Sequence, residues 1–336
     1  LPDILGLDPL WLSDLTGRGV LEPLDRYHAD LPEDYASLLP GMVPRPFPQA
    51  RFWALPLTAS MDALFYRIDL LQAAGFDRPP KNQEELLRAA RAVRDPAQGR
   101  YGLTLALGPE SSQGVFRDFF PWLWAAGASF FQDGLIRCDT PEGLAMFSFV
   151  EGLYRENLAA PGSFTKTAED KREEFISGRA AMMLGPASDI PLIRERGVSF
   201  GVTAAPGPAS YIGKPVFGLQ CWYGGISRQS RYKNEAWAFL MFLAERRSRI
   251  GAAAHAVPGS RTAESYISGD PLYAKVYDIY EAGEAQEELA GVKGLGEIEA
   301  VFQEELYRMV EEGQAAEETA RAIQRRLSGI HKRIED

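Results

Sequence analysis

Along the chain, short apolar runs bounded by turn formers alternate with longer stretches in which apolar positions recur every three or four residues. Residues 3–7, 52–57, 101–107, 180–184 and 198–205 are of the first kind and predict strands buried on both faces. Of the second kind, Pro79-Pro80-Lys81-Asn82 leads into Glu84-Glu85-Leu86-Leu87. Asn82 is placed there to cap a first turn, Glu85 to reach back to it, and Leu86, Leu87, Ala90 and Val93 to share a face. Thr140-Pro141-Glu142 opens another helix with proline at its first position, and Met146, Val150, Leu153 and Tyr154 carry its apolar stripe to near Asn157. Residues 236–243 are apolar nearly all round but too short to span a bilayer, which predicts a buried helix. Ala320, Ile323, Leu327, Ile330 and Ile334 form one seam of a surface helix. Strands alternating with helices in this way predict an α/β fold with mainly parallel sheets.

Length changes this picture first. A chain of 336 residues exceeds what one compact core usually holds, so two lobes are expected. No apolar run approaches the ~18 residues of a membrane-spanning helix. The formal charge of -10, with Lys and Arg scattered, disfavours nucleic acid, because a polyanion needs a basic patch. Cys138 and Cys221 are too few for a disulfide framework and lack CxxC spacing; one bridge and two buried thiols both stay open. The first residues, Leu1-Pro2-Asp3, carry no Met, basic segment or apolar signal region, which is the expectation for a processed chain or a fragment.

Catalytic signatures are missing. There is no GxSxG elbow and no GxxxxGK[ST] loop, and residues 291–296 lack the GxGxxG spacing that a dinucleotide needs. His28, His255 and His331 stand far apart with no HExxH, so neither a zinc site nor a general base is indicated. The expectation is a protein that is not an enzyme and uses no cofactor and no metal.

Several segments, in order, carry a resemblance. Leu1 to Asp8, Trp11-Leu12 and Gly19 to Leu24 resemble a "PD strand, helix, G-x-L-x-P-L" block. Trp53-Ala54-Leu55-Pro56 through Leu64 to Leu71, and on through Ala74-Gly75-Phe76, resembles a "G-L-P … L-Y-Y-N-K-D-L-F" block. Phe175 to Met183 with Gly185-Pro186, Gly201-Val202 with Pro206-Gly207-Pro208, and Gly224-Gly225-Ile226-Ser227 before Trp237 are similar to three further blocks. Together they resemble bacterial extracellular solute-binding protein family 1, the sugar-binding proteins of ABC transporters that include maltose-binding proteins.

The resemblance implies a two-lobed periplasmic-binding-protein-like fold of type II, α/β, with a hinge of several crossing segments. Residues 1–60 plus 225–272 would form the N-terminal lobe and 61–224 plus 273–336 the C-terminal lobe. Family members carry an opening strand, helix and second strand before the first matching block, so the N-terminal lobe is expected to be incomplete. The implied function is the extracytoplasmic substrate-binding component of an ABC importer. It would bind a sugar or small oligosaccharide in the interlobe cleft as a monomer and deliver it to the permease subunits, either free in a periplasm or as a lipoprotein. A ligand that touches both lobes favours the closed state by its differential affinity. A polyol or glycerol-phosphate-type ligand, a non-transport sensor and a carbohydrate-active enzyme stand as alternatives.

Sugars present hydroxyls at the rim and C–H faces above and below, so a site for them combines flat aromatic rings with charged or amide groups. By position in the resembling proteins, Asp8 and Trp11 follow the first strand, and Thr58, Ser60 and Asp62 follow the first crossing. Phe116, Arg117 and Trp124 come from the second lobe, where a core helix is the competing reading for Trp124. Ser188 stands where maltose-binding proteins carry a stacking tryptophan, which argues against a long maltodextrin. Gln220, Trp222 and Tyr223 sit at the second crossing, with Trp222 heading the set. Arg261 follows a "P-x-R"-like loop and divides evenly between cleft and solvent. Arg51, Arg117 and Arg261 are the cations that a phosphate would need. Glu297 and Glu299 read as a solvated face.

Overall fold

The computed structural model describes residues 1–30, 52–111, 113–132, 135–246, 249–251, 269–286, 289, 292 and 294–335. In chain order its elements are β1 (Ile4–Leu7), α1 (Pro9–Gly17), β2 (Ala54–Arg67), α2 (Ile68–Ala73), α3 (Gln83–Val93), β3 (Tyr101–Thr104), α4 (Gly114–Asp118), α5 (Phe120–Trp124), β4 (Phe131–Gln132), β5 (Leu135–Ile136) and α6 (Pro141–Arg155). There follow α7 (Ala168–Ile176), β6 (Ala180–Pro186), α8 (Asp189–Arg194), β7 (Phe200–Thr203), β8 (Val216–Ile226), α9 (Lys233–Ala244), α10 (Pro271–Ala282), β9 (Glu284–Gln286), α11 (Leu295–Glu311) and α12 (Ala316–Glu335). The chain forms two compact units. One holds Leu1–Met61, Leu219–Tyr277 and Ala285–Leu295, and the other Asp62–Gly218, Asp278–Glu284 and Gly296–Asp336. Residues 61, 219–224, 273–277 and 285–295, assigned above to the second lobe, lie in the first unit.

The sheet of the first unit has the order β1-β8-β2. Leu7 pairs with Tyr223 and Ile4 with Ile226, while β2 pairs with β8 from Ala54↔Gly225 to Met61↔Leu219, all antiparallel. Helix α9 lies against this sheet through Ala236, Trp237, Leu240 and Ala244, in a core with Leu24, Tyr27, Leu55 and Ile226. The Tyr27 ring stacks on Trp237 with centroids 4.7 Å apart, and its hydroxyl donates to Asn234 Oδ1 at 2.9 Å. Gly224 lets α9 approach, since a Cβ there would meet the Leu240 side chain at 2.4 Å. The helix expected to be buried all round is one-sided: Phe239 and Phe242 are exposed.

In the second unit the later part of β2 lies between β7 and β6, antiparallel to both, and β3 runs parallel to β6. Helix α3 begins as the sequence predicts, with Glu85 N donating to Asn82 Oδ1 at 2.8 Å. The Glu85 carboxylate reaches back to Lys81 N and to Arg78 rather than to Asn82. Helix α6 is capped by Thr140, whose Oγ1 accepts from Gly143 N at 3.1 Å. Phe119, Phe120, Phe130, Phe147 and Phe302 form the core beneath α6, in ring pairs 4.7 to 6.4 Å apart.

The expectation of mainly parallel sheets is corrected. Of the ladders named, β3–β6 alone is parallel; β1–β8, β2–β8, β2–β6, β2–β7 and β4–β5 are antiparallel. Burial on both faces gives an apolar run whatever the direction of the neighbouring strand, so the pattern alone does not fix strand direction.

Two glycines give opposite expectations for stability. At Gly102 a Cβ would lie 2.3 Å from Ala90 Cβ and 2.6 Å from its Cα, whereas at Gly152, inside α6, nothing lies within 4 Å. Gly102→Val is expected to destabilise the fold by about 1–3 kcal/mol through overpacking. Gly152→Ala is expected to stabilise it by roughly 0.5–1 kcal/mol through helix propensity. Urea unfolding of the two variants checks both signs.

Candidate functional site

Alternation along paired strands decides which side chains share a face. A bulge between Pro56 and Thr58 resets the register, after which Thr58 pairs with Trp222, Ala59 with Cys221 and Ser60 with Gln220. Thr58, Ser60 and Trp222 therefore fall on one face, and Ala59, Met61 and Cys221 on the other. The second face is core, with those three residues 0–1% exposed. The first is not: Trp222 is 51% exposed beside Thr58 at 5%. The Ser60 hydroxyl oxygen is buried without a hydrogen-bond partner, an arrangement that normally costs stability. This face thus carries a half-exposed indole and, on the neighbouring strand, a buried hydroxyl with no partner.

Tyr223, predicted beside Trp222, points by alternation to the opposite face and is buried opposite Leu7. Asp8 follows Leu7, its carbonyl accepts from Trp11 N at 3.0 Å, and Trp11 is 53% exposed. Of Gln220 the structure describes the backbone position, and Arg261 lies outside the described residues.

Two residues beyond Ser60 on the same strand, in the second unit, Asp62 Oδ1 accepts from Arg117 Nη2 at 2.9 Å. Burial opposes the charged guanidinium, but Asp62, then Asp118 and Asp189, outweigh it and hold Arg117 above the ordinary arginine pKa. Lys171 Nζ sits 2.7 and 2.9 Å from the two oxygens of Asp118, and Arg172 Nη1 donates to Asp189 Oδ1 at 3.1 Å. Each cation here has its own carboxylate. Asp118, Asp189, Lys171 and Arg172 carried no signal in the sequence, because they converge from α4, α7 and α8. Ser188 precedes α8 without using its side chain as a cap, and is half-buried. Phe116 and Trp124 are buried edge-on against Phe120, at 5.2 and 6.0 Å, so the core reading describes Trp124.

Glu299 departs from the solvated face expected of it. It is half-buried on α11, one carboxyl oxygen is buried without a partner, and burial pushes its pKa up to about 7 against a single donor, Val115 N. Glu297 is exposed. Among the described residues no group of three or more His, Cys, Asp or Glu is placed to hold a metal, and no helix is long and apolar enough to cross a membrane. Cys138 and Cys221 are both buried thiols.

A family model described as bacterial extracellular solute-binding protein matches residues 2–254. The chain belongs to this family. As a solute-binding protein it is 28% identical to a binding protein of Brucella abortus over 242 residues, 69% of this chain and 56% of that one. It is 24% identical to the maltotriose-binding protein of Pyrococcus abyssi over 252 residues, 71% of this chain and 50% of that one. The chain spans about half the length of these curated relatives. Among solved structures, the sugar-binding protein MalE of Xanthomonas citri superposes with a TM-score of 0.83 at 20% identity, and UgpB of Mycobacterium tuberculosis in complex with glycerophosphocholine with 0.85 at 19%. Each match covers 100% of this chain and 85% of the other. The fold is the α/β two-lobed type II fold of these binding proteins.

Two titratable groups give expectations for stability. Asp118→Ala leaves the buried Lys171 ammonium without its partner and is expected to cost about 3–5 kcal/mol, read by denaturant unfolding at neutral pH. Glu299 is raised above its ordinary value, so the folded state binds the extra proton between pH 4.5 and about 7, and stability falls as pH rises through that window. Glu299→Gln should flatten this part of the curve. Its melting temperature relative to the parent chain is expected to be higher at pH 8 than at pH 5.

Proposed function

We propose that the chain is the extracytoplasmic substrate-binding component of an ABC importer, binding a sugar or small oligosaccharide and delivering it to permease subunits. The observation that carries this reading is Trp222, half-exposed on the face that also holds Thr58 and the unsatisfied Ser60 hydroxyl. An indole matches the C–H face of a sugar ring, and hydroxyl groups within reach of it match the ring's rim. Asp62 and Arg117, in the second unit, are further proposed contacts. Each offers charge-assisted hydrogen bonds while the pair as a whole stays near neutrality. Asp8, Trp11, Gln220, Ser188 and Arg261 complete the proposed contacts.

Among the described residues, the pairing of Arg117 with Asp62 favours a neutral ligand over a phosphate-bearing one. A phosphate needs cations that protein carboxylates have not already taken. Of the three arginines singled out in the sequence, Arg51 and Arg261 lie outside the described residues, and Arg117 is held by Asp62. In this reading the protein works as a monomer, binds without catalysis and needs neither metal nor cofactor.

Tryptophan fluorescence during titration with monosaccharides, disaccharides, polyols and glycerol phosphates tests the proposal. A saturable change with a neutral sugar is expected. Trp222→Ala should weaken binding about tenfold or more, ~1.4 kcal/mol, with the melting temperature unchanged because the ring is largely outside the core. Binding of glycerol phosphate alone, or hydrolysis of any sugar in the panel, would overturn it.

A further inference from the structure

A groove of about 400 Å³ lies in the second unit, apart from every residue assigned above to ligand. The first turns of α6 supply Pro141, Glu142, Ala145 and Met146, the start of α3 supplies Gln83, and the segment after Pro206 supplies Pro208, Ser210 and Tyr211. Trp122 and Ala126 complete the lining. Its volume falls within the range of about 300–1,000 Å³ typical of small-molecule sites.

The walls are fixed by the fold. Gln83 N donates to Gly207 O at 2.8 Å, which ties the segment to α3. The Tyr211 hydroxyl donates to Lys214 O at 2.8 Å, and the ring lies so close to Gly127 that a Cβ there would meet it at 2.2 Å. Trp122 is buried, with Nε1 donating to Asp118 O at 2.9 Å. Both aromatic groups are thus held in place before any ligand arrives, which lowers the entropic cost of binding.

The polar lining is left unused by these contacts. The side chains of Gln83, Glu142 and Ser210 make no hydrogen bond to another described residue. An amide, a carboxylate and a hydroxyl, set beside the Tyr211 ring and two prolines, match a ligand with several hydroxyls and an apolar face. Glu142, as the charged group of the lining, disfavours an anion. We propose that this groove is a second binding site of the chain, for a neutral polyhydroxyl compound the size of a mono- or disaccharide. It is independent of the face that carries Trp222.

The methyl groups of Ala126 and Ala145 report on the groove in NMR spectra of the full chain labelled with 13C at alanine methyls. Glucose and maltose are the probes, with glycerol 3-phosphate as the charged control. Saturable shifts of both methyls with a sugar, none with glycerol 3-phosphate, and persistence of the shifts in Trp222→Ala are expected. Ala145→Trp, an exposed helix position at the rim, should fill the groove and weaken the Ala126 response about tenfold or more. Still methyls throughout the sugar titrations, a response to glycerol 3-phosphate alone, loss of the shifts in Trp222→Ala, or an Ala126 response unchanged by Ala145→Trp would each overturn the second site. Failure of the Trp222 reading shows instead in fluorescence, with the methyl shifts intact.

Discussion

The ligand-binding face proposed around Trp222 depends on the antiparallel register between β2 and β8. Once Thr58 is opposite Trp222, alternation sends Ala59, Met61 and Cys221 into the core and leaves Thr58, Ser60 and Trp222 on the other side. The bulge after Pro56 sets this arrangement. Gly224 belongs to the same constraint, because its missing side chain lets Leu240 of α9 lie directly on the strand. Helix α9 covers the Leu55 end of the ladder.

A second constraint is charge. The cations Arg117, Lys171 and Arg172 converge with Asp62, Asp118 and Asp189, and each is joined to one carboxylate at 2.7–3.1 Å. Burying ions is costly unless each is paired and hydrogen-bonded, so these groups hold α4, α7 and α8 in fixed relation to one another and to β2 while leaving little net charge. Carboxylates already occupy these cations, which leaves them little attraction for anions. That is why the proposed ligand is a neutral sugar, although UgpB, a structural neighbour, was solved with glycerophosphocholine.

The sequence made the local structure legible where a single turn or stripe decides it. Asn82 and Thr140 cap helices as their positions suggest, and the solute-binding family could be read from ordered blocks spread over the chain. Direction of pairing was not legible, since a doubly buried strand is apolar whether its neighbour runs parallel or antiparallel. Strand β8 was hidden by Gly218, Gly224 and Gly225, which break the strand-like pattern although close packing against Trp124, Leu240 and Leu7 requires them. The candidate site was legible in Trp222, Thr58 and Ser60. Tyr223 follows Trp222 in sequence, but successive strand residues point to opposite faces, so it lies in the core opposite Leu7. The partners of Arg117, and the burial of Glu299, exist only in three dimensions.

The most direct test of the central claim is a crystal structure of the chain with a bound disaccharide that titration has shown to saturate it. The account predicts a sugar ring stacked on the Trp222 indole, with a sugar hydroxyl hydrogen-bonded to Ser60. A disaccharide bound elsewhere, with Trp222 bare and the Ser60 hydroxyl still unpaired, would contradict it.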